Sequence, residues 1–410
     1  MKILIFNITA QYGSTGKIAQ ILREGYKAAG HQVEVCYGRD KNVEKPQNAF
    51  KFTYEIEKLF TYFLMRLYGI PGKGLFLSMR RLFQYMDREK PDLVHLLNIH
   101  GYYVDEYSLL IYLKKRKIPV IYTMCDEYPY TAKCSFTGDC NKFKEECHHC
   151  YKKHNYPPSW IFDKSKKLFK LKKDIYNDYS NLIFAGCGYV YERAKESKLL
   201  GDKRLVCIGE PIDLDGLFYP RDSASLLKKE LYIPENDIVV MTAAVLSNPR
   251  KGGKFFLDMY NQMKGIKGFT FVYVGYDTTE YENLTDGSII KIPYVESLDK
   301  FAELMSLADV FISTTYADTV PNAVINALGC GTPVCAFNIG GMRSIRKKDE
   351  EVLKIVPFGN VQGLKDAVLS IKRKSDDVII RCRNLVYDDF SSKSVMDKYV
   401  NIVNEITLQI

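Results

Sequence analysis

At 410 residues the chain is too long for one hydrophobic core and long enough for two α/β domains of ordinary size. Its 46% hydrophobic and 26% charged residues exclude intrinsic disorder, and no uncharged apolar run reaches the ~18 residues of a membrane span. A net charge of +9 favours anionic partners such as nucleotide phosphates or lipid head groups, and eleven cysteines without an export signal point to reduced thiols, not a disulfide framework.

The opening MKILIFNITAQYG reads as a buried first strand, Ile3 to Phe6, and not as a signal peptide, so the chain is expected in the cytoplasm. Asn7 ends that strand, and Gly13-Ser14-Thr15-Gly16-Lys17 forms a glycine loop opening the first helix. Free N–H groups and the dipole at such an N-terminus attract anions. The loop lacks both the Gly-x-Gly-x-x-Gly fingerprint and a Walker motif, which leaves a tight turn and a ligand loop both open and gives no support to a dinucleotide-dependent oxidoreductase.

Apolar runs at Val33 to Tyr37, Leu93 to Leu97, Val120 to Met124, Leu182 to Ala185 and Leu205 to Ile208 follow, with helical segments between them. That alternation predicts a parallel sheet covered by helices. A polar loop over residues 130–157 carries Cys134, Cys140, Cys147 and Cys150. Four thiolates suit a tetrahedral structural zinc, and Cys147-x-x-Cys150 has half-site spacing; four protein ligands leave no open position for catalysis. His148 and His149 are alternative ligands, and a loop of independent thiols is the competing reading. Cys187, Cys207, Cys330, Cys335 and Cys382 lie in apolar contexts and read as core.

From Lys152 to Lys173 lysines alternate with Ile161, Phe162, Leu168, Phe169 and Leu171, as on a helix with an apolar stripe. A solvated face over core competes with docking at a membrane surface. No basic–aromatic module of the RNA-binding type occurs, so nucleic acid is not an expected partner.

Gly209-Glu210-Pro211-Ile212-Asp213 has the composition of a hinge and divides the chain into domains 1–211 and 212–385. The second domain repeats the pattern with Ile238 to Ala243, Phe269 to Val274, Ile289 to Ile292, Val310 to Ser313 and Val334 to Phe337. After its first strand comes Ser247-Asn248-Pro249-Arg250-Lys251-Gly252-Gly253, whose cations face the ligand end of such a sheet. Fixed positive charge there would stabilise a departing diphosphate; a plain surface turn is the alternative. After Val310 to Ser313 come Asp318 in a loop and a helix from Asn322 to Leu328, whose N-terminus can meet phosphate, with Asn326 one turn along. A final segment, 386–410, carries Val395, Met396, Tyr399, Val400 and Val403 at helical spacing and closes the chain.

These motifs resemble those of family 4 glycosyltransferases with the GT-B fold, in particular the subgroup of colanic acid and capsular polysaccharide synthesis, over nearly the full length. In that family the second domain carries an acidic residue, seven intervening residues and a Glu, followed by Ala and a Gly-Thr-Pro-Val turn; the register falls here on Asp318, Asn326 and Gly331-Thr332-Pro333-Val334. Gly340-Gly341 and Phe390-Ser391 match its closing signatures. The resemblance implies two Rossmann-like domains facing across a cleft, the first for the acceptor and the second for a nucleotide-sugar donor, with segment 386–410 crossing back to the first.

By the same resemblance Asp318 contacts the donor sugar, Lys251 and Arg250 the diphosphate, Asn326 the ribose, and the loop amides around Val320 and Asn322 complete donor binding; Gly13 and Gly16, read from the glycine loop itself, are further candidates for donor binding. Asn98-Ile99-His100-Gly101-Tyr102-Tyr103 and Thr123-Met124-Cys125-Asp126 match the acceptor side, giving His100, Cys125 and Asp126. Four positions depart from the pattern: the second Glu is Asn326, the subgroup's Thr-x-His-Asp has Cys125 for His, Leu97 stands where the subgroup commonly has His, and the family's Arg falls on Leu246. The implied reaction is a retaining transfer of a hexose from a UDP- or GDP-sugar to a polysaccharide or lipid-linked oligosaccharide. It requires no cofactor, because the donor diphosphate takes the acceptor's proton. The setting is the cytoplasm, with peripheral contact at the inner face of the membrane. Cys125 and Asn326 motivate the alternative of a degenerate nucleotide- or glycan-binding partner of another glycosyltransferase.

Overall fold

The computed structural model describes residues 1–39, 48–243, 249–275, 288–316, 318 and 320–408. Leu246, Ser247 and Asn248 of the motifs above, and both neighbours of Asp318, lie outside the described residues. By its contacts the chain divides into two units, Met1–Pro211 with Met396–Ile410, and Ile212–Val395.

In the first unit the strands are β1 Lys2–Thr9, β2 Gln32–Arg39, β3 Ala49–Lys51, β4 Leu93–Leu96, β5 Val120–Thr123, β6 Leu182–Gly186 and β7 Leu205–Cys207. They pair in the order β3-β2-β1-β4-β5-β6-β7, all parallel. Helices cover both faces of such a sheet, so its central strands bury side chains on both sides; Ile3, Leu4, Ile5 and Phe6 are all fully buried in succession.

The second unit has β8 Ile238–Ala243, β9 Phe269–Val274, β10 Ile289–Ile292, β11 Val310–Ser313, β12 Val334–Phe337 and β13 Leu353–Val356, in the order β10-β9-β8-β11-β12-β13, again all parallel. Both sheets therefore reverse strand order beside their own first strand, between β1 and β4 and between β8 and β11. At that reversal, outside the strands' C-terminal ends, doubly wound folds place ligands. Two strands escape the sequence reading, β3 and β13. Both are short edge strands with half-exposed residues, Ala49–Lys51 throughout and Lys354 to Val356 in β13, so their hydrophobic signal is weak.

The segment 386–410 is not one helix. Residues 386–390 finish the helix Asp376–Phe390, and the closing helix runs Ser392–Thr407. The break falls at Ser391 because the backbone there turns to pair with Ile212: the Ile212 N–H donates to the Phe390 carbonyl (2.8 Å) and the Ser392 N–H to the Ile212 carbonyl (2.8 Å). From Met396 onward the closing helix packs in the first unit, where a Cβ on Gly25 would strike Met396 at 2.6 Å. Its Tyr399 hydroxyl meets Thr123 Oγ1 (2.6 Å), which meets His95 Nε2 (2.8 Å), whose Nδ1 meets the Tyr26 hydroxyl (3.0 Å). This buried chain ties the first helix, β4, β5 and the closing helix together.

Candidate functional site

In the second unit the 3-10 turn Pro249–Lys251 follows β8, and the loop bearing Asp318 follows β11, so both lie at the strand-order reversal. Lys251 Nζ stands 3.2 Å from Asp318 Oδ2, with the two side chains 30% and 26% exposed. The fold thus joins a cation and a carboxylate that sequence separates by 67 positions. Two hydrogen bonds fasten the loops: Thr314 Oγ1 donates to the Lys251 carbonyl (3.1 Å) and the Tyr316 N–H to the Arg250 carbonyl (3.0 Å). Gly252 completes the lock, since it sits at φ +68° with its missing Cβ 2.0 Å from the Thr314 carbonyl oxygen. No side chain fits there. Thr314 is a loop-fastening position the sequence reading missed; nothing about an isolated Thr after a strand signals that role.

The helix after this loop runs Asn322–Gly329, with Asn322 and Asn326 both half-buried. Asn326 lies one turn from Asn322, on the same side of the helix. Within the loop of the expected donor amides, the Asn322 N–H donates to the Val320 carbonyl (2.9 Å). Val320 is buried and Arg250 exposed.

In the first unit Gly13 opens the helix Gly13–Ala28 directly after β1, and a Cβ on Gly16 would lie 2.7 Å from Thr9 Oγ1, so backbone packs tightly there. Asn7 at the end of β1 accepts from the Asn98 N–H (3.4 Å), which aligns the loop after β4 beside it. That loop delivers His100, whose Nε2 contacts Asp126 Oδ2 at 2.6 Å from the loop after β5. Asp126 Oδ1 accepts from the Tyr128 N–H (2.9 Å), and the His100 ring lies against Tyr128 and Tyr156. His100 Nδ1 makes no hydrogen bond among the described residues. Cys125 sits beside Glu210 and Cys187; burial, then the Glu210 charge, pushes its thiol well above the ordinary cysteine range, so it stays protonated.

Beneath this corner lies a pair that the sequence concealed. Lys172, in the run that looked like a solvated basic face, is fully buried 3.7 Å from fully buried Glu106. Its ammonium donates to the Tyr128 carbonyl (2.7 Å) and lies 3.6 Å over the Tyr128 ring. Burial lowers the lysine's pKa and raises the glutamate's. The rest of the Lys152–Lys173 run divides: Leu168 and Phe169 enter the core on the helix Ser165–Tyr176, as in the solvated-face reading, whereas Ile161 and Phe162 before it are exposed.

Cys134, Cys140, Cys147 and Cys150 line one small, partly open cavity of about 20 Å³ together with His148. A hydrogen bond links the Cys134 and Cys150 thiols, raising the pKa of the first and lowering that of the second. The sulfur donor set suits zinc. Among the described residues, however, no group of three or more metal-ligating side chains stands close enough to hold an ion as placed. Arg193, donating to Thr137 Oγ1 (2.7 Å) and the Cys140 carbonyl (3.2 Å), anchors the loop.

Two family models match the chain, "Glycosyltransferase Family 4" over residues 16–215 and "Glycosyl transferases group 1" over residues 236–373. The chain is a family 4 glycosyltransferase. This glycosyltransferase is 22% identical over 380 residues to the putative colanic acid biosynthesis glycosyl transferase WcaC of Escherichia coli (strain K12), covering 87% of this chain and 89% of the relative. In structure the glycosyltransferase resembles sucrose-phosphate synthase from Thermosynechococcus elongatus (TM-score 0.69, 15% identity, 100% of both chains). It also resembles Anabaena Alr3699/HepE, solved in complex with UDP (TM-score 0.66, 14% identity, 99% of this chain and 100% of that one). The fold is GT-B, built from two Rossmann-like domains.

Proposed function

We propose that this glycosyltransferase moves a hexose from a UDP- or GDP-sugar to a polysaccharide or lipid-linked oligosaccharide, with retention at the anomeric carbon. The observation that carries the reading is the Lys251–Asp318 pair at the strand-order reversal of the second unit. A donor diphosphate would take Lys251 from Asp318, so that the ammonium stabilises the charge that develops as the sugar–phosphate bond breaks, with Arg250 beside it. Asp318, released, accepts a hydroxyl of the sugar, and Asn326 hydrogen-bonds the ribose diol through its amide. Anabaena HepE, solved with UDP and with UDP-glucose, supports a nucleotide-sugar donor.

The acceptor oxygen forms its bond to the anomeric carbon as the carbon–phosphate oxygen bond breaks, and the acceptor's proton passes to the departing phosphate. No side-chain base is then needed. This suits a chain whose Cys125 thiol is held protonated by burial. His100, aligned by Asp126, would contact the acceptor, and the Gly13 and Gly16 turn would admit a ligand close to backbone in the first unit. The step itself would use no metal. A structural zinc at Cys134, Cys140, Cys147 and Cys150 rests on their shared cavity and sulfur chemistry; binding would replace the Cys134–Cys150 hydrogen bond by metal–sulfur bonds. A lipid-linked acceptor would be met by peripheral contact at the inner face of the cytoplasmic membrane, as the family resemblance implies; among the described residues no helix is long and apolar enough to cross a membrane.

The test is a thermal-shift titration with UDP, GDP and their sugars, followed by proton NMR of the product. A native-state ligand raises stability by mass action. One diphosphate should give a saturable shift, Lys251→Ala should weaken it about 10–100-fold through loss of a charge-assisted contact, and the product should keep the donor's anomeric configuration. No shift with any nucleotide would favour the non-catalytic alternative, and an inverted product would overturn the mechanism.

A further inference from the structure

The helix Glu55–Tyr68 of the first unit leaves most of its large apolar side chains uncovered. It buries Thr61 and Met65, while Ile56, Leu59, Phe60, Phe63 and Leu67 are exposed to solvent, with Ile56 85% and Leu59 61% exposed. Their spacing of three and four residues makes one continuous stripe, the pattern that normally faces a core. The stripe is extended by neighbours. Glu57 accepts from the Leu77 and Ser78 N–H groups (both 2.7 Å), which sets exposed Phe76 and Leu77 beside its first turn. At its other end the Trp160 N–H donates to the Arg66 carbonyl (2.6 Å) and the Phe162 N–H to the Leu67 carbonyl (3.3 Å), bringing exposed Trp160, Ile161 and Phe162 alongside. The Tyr68 and Phe162 rings stack 5.6 Å apart.

Cations are interleaved with this apolar surface. Arg66 lies 4.8 Å over the Trp160 ring, Lys73 4.6 Å over Tyr68 and Lys164 5.3 Å over Phe162. Arg80 and Lys167 are exposed on the flanking segments. An apolar stripe with Trp and Tyr, bordered by Lys and Arg, matches the boundary between acyl chains and anionic head groups. A protein partner would have to supply both an apolar face and a surrounding ring of acidic groups; a bilayer of anionic lipid supplies both at once. Contiguous exposed apolar surface of this kind marks an interaction site.

We infer that the Glu55–Tyr68 stripe, with Phe76, Leu77 and Trp160 to Phe162, is the surface by which this glycosyltransferase docks on an anionic lipid bilayer. The inference rests on the reading that the acceptor is lipid-linked, and it assigns that reading a surface distinct from the helix Ser165–Tyr176, whose apolar face is in the core.

The experiment is co-sedimentation of the full chain with vesicles of equal parts phosphatidylglycerol and phosphatidylcholine, and with phosphatidylcholine alone. The wild type should bind the anionic vesicles more tightly than the neutral ones and lose that advantage at high salt. The double variant Leu59→Ser, Phe63→Ser removes exposed side chains, so it should keep its melting temperature and nucleotide binding while its vesicle affinity falls at least about tenfold. Unchanged vesicle binding in the double variant would overturn the assignment. So would a wild type that ignores vesicles and instead self-associates through the stripe, seen by light scattering and lost in the variant. Vesicle binding that depends on the stripe in a chain that binds no nucleotide would refute the donor reading and leave the surface assigned.

Discussion

Replacing Gly252 by Ala tests whether the geometry that presents Lys251 is built as described. The residue sits at φ +68°, where a Cβ costs about 1–2 kcal/mol. In addition its Cβ would stand 2.0 Å from the Thr314 carbonyl oxygen, against 3.4 Å for ordinary contact, so that carbonyl must retreat by more than an ångström. The Thr314–Lys251 and Tyr316–Arg250 hydrogen bonds flank the clash and would be lost with the movement, at ~0.5–1.5 kcal/mol each. Gly265 is the internal control: its φ is +86°, but nothing lies within 4 Å of its Cβ position. Gly265→Ala should therefore lose only the conformational part, about 1–2 kcal/mol, and Gly252→Ala about 2–5 kcal/mol, or roughly 5–15 °C in melting temperature. Urea denaturation measures the first difference, and calorimetric titration with the nucleoside diphosphate that binds measures the second. Its dissociation constant should rise at least about tenfold in Gly252→Ala and stay unchanged in Gly265→Ala. Equal stability of the two variants, or nucleotide binding within about twofold of wild type in Gly252→Ala, would refute the reasoning.

Buried His95 titrates well below its ordinary 6.5, at about 3, because burial disfavours its charged form. The folded state therefore refuses a proton that the unfolded chain accepts between these values, so the contribution is present above pH 6.5 and is lost as pH falls toward 3. From pH 7 to 5 the wild type should lose up to about 2 kcal/mol more stability than His95→Gln; equal slopes in urea titrations would rule this out. Lys172→Met leaves Glu106 buried without its cation and should destabilise by about 3–5 kcal/mol, while the double variant with Glu106→Gln recovers part of that loss. A double-mutant cycle by urea denaturation showing strict additivity would mean that the pair is uncoupled. Elemental analysis of the purified chain should find one zinc, lost in a Cys134→Ser, Cys150→Ser variant; a folded wild type without zinc would overturn the zinc reading and leave only the Cys134–Cys150 hydrogen bond between the thiols.

The parallel strands were legible in sequence because strands buried on both faces are continuous apolar runs, as at Ile3 to Phe6 and Val310 to Ser313. Lys251 and Asp318 were legible as residues because each follows such a strand, where the fold presents loops to ligands, and His100 and Asp126 through the resemblance of their segments to the family's acceptor side. Sequence alone thus determined the α/β class, the repeated strand series and the polar positions at the strand ends. Tertiary structure decided what those residues meet: the pairing of Lys251 with Asp318 depends on β8 and β11 becoming neighbours, and their order in the sheet leaves no mark on either segment. It also decided direction. The apolar spacing of Glu55–Tyr68 is that of a core-facing helix, and the lysines of Ser165–Tyr176 are those of a solvated one, yet Leu59 faces water and Lys172 is sealed against Glu106. Helical periodicity gives the angle between side chains along one helix; which side is covered depends on what packs against it, and that is set by residues distant in the chain.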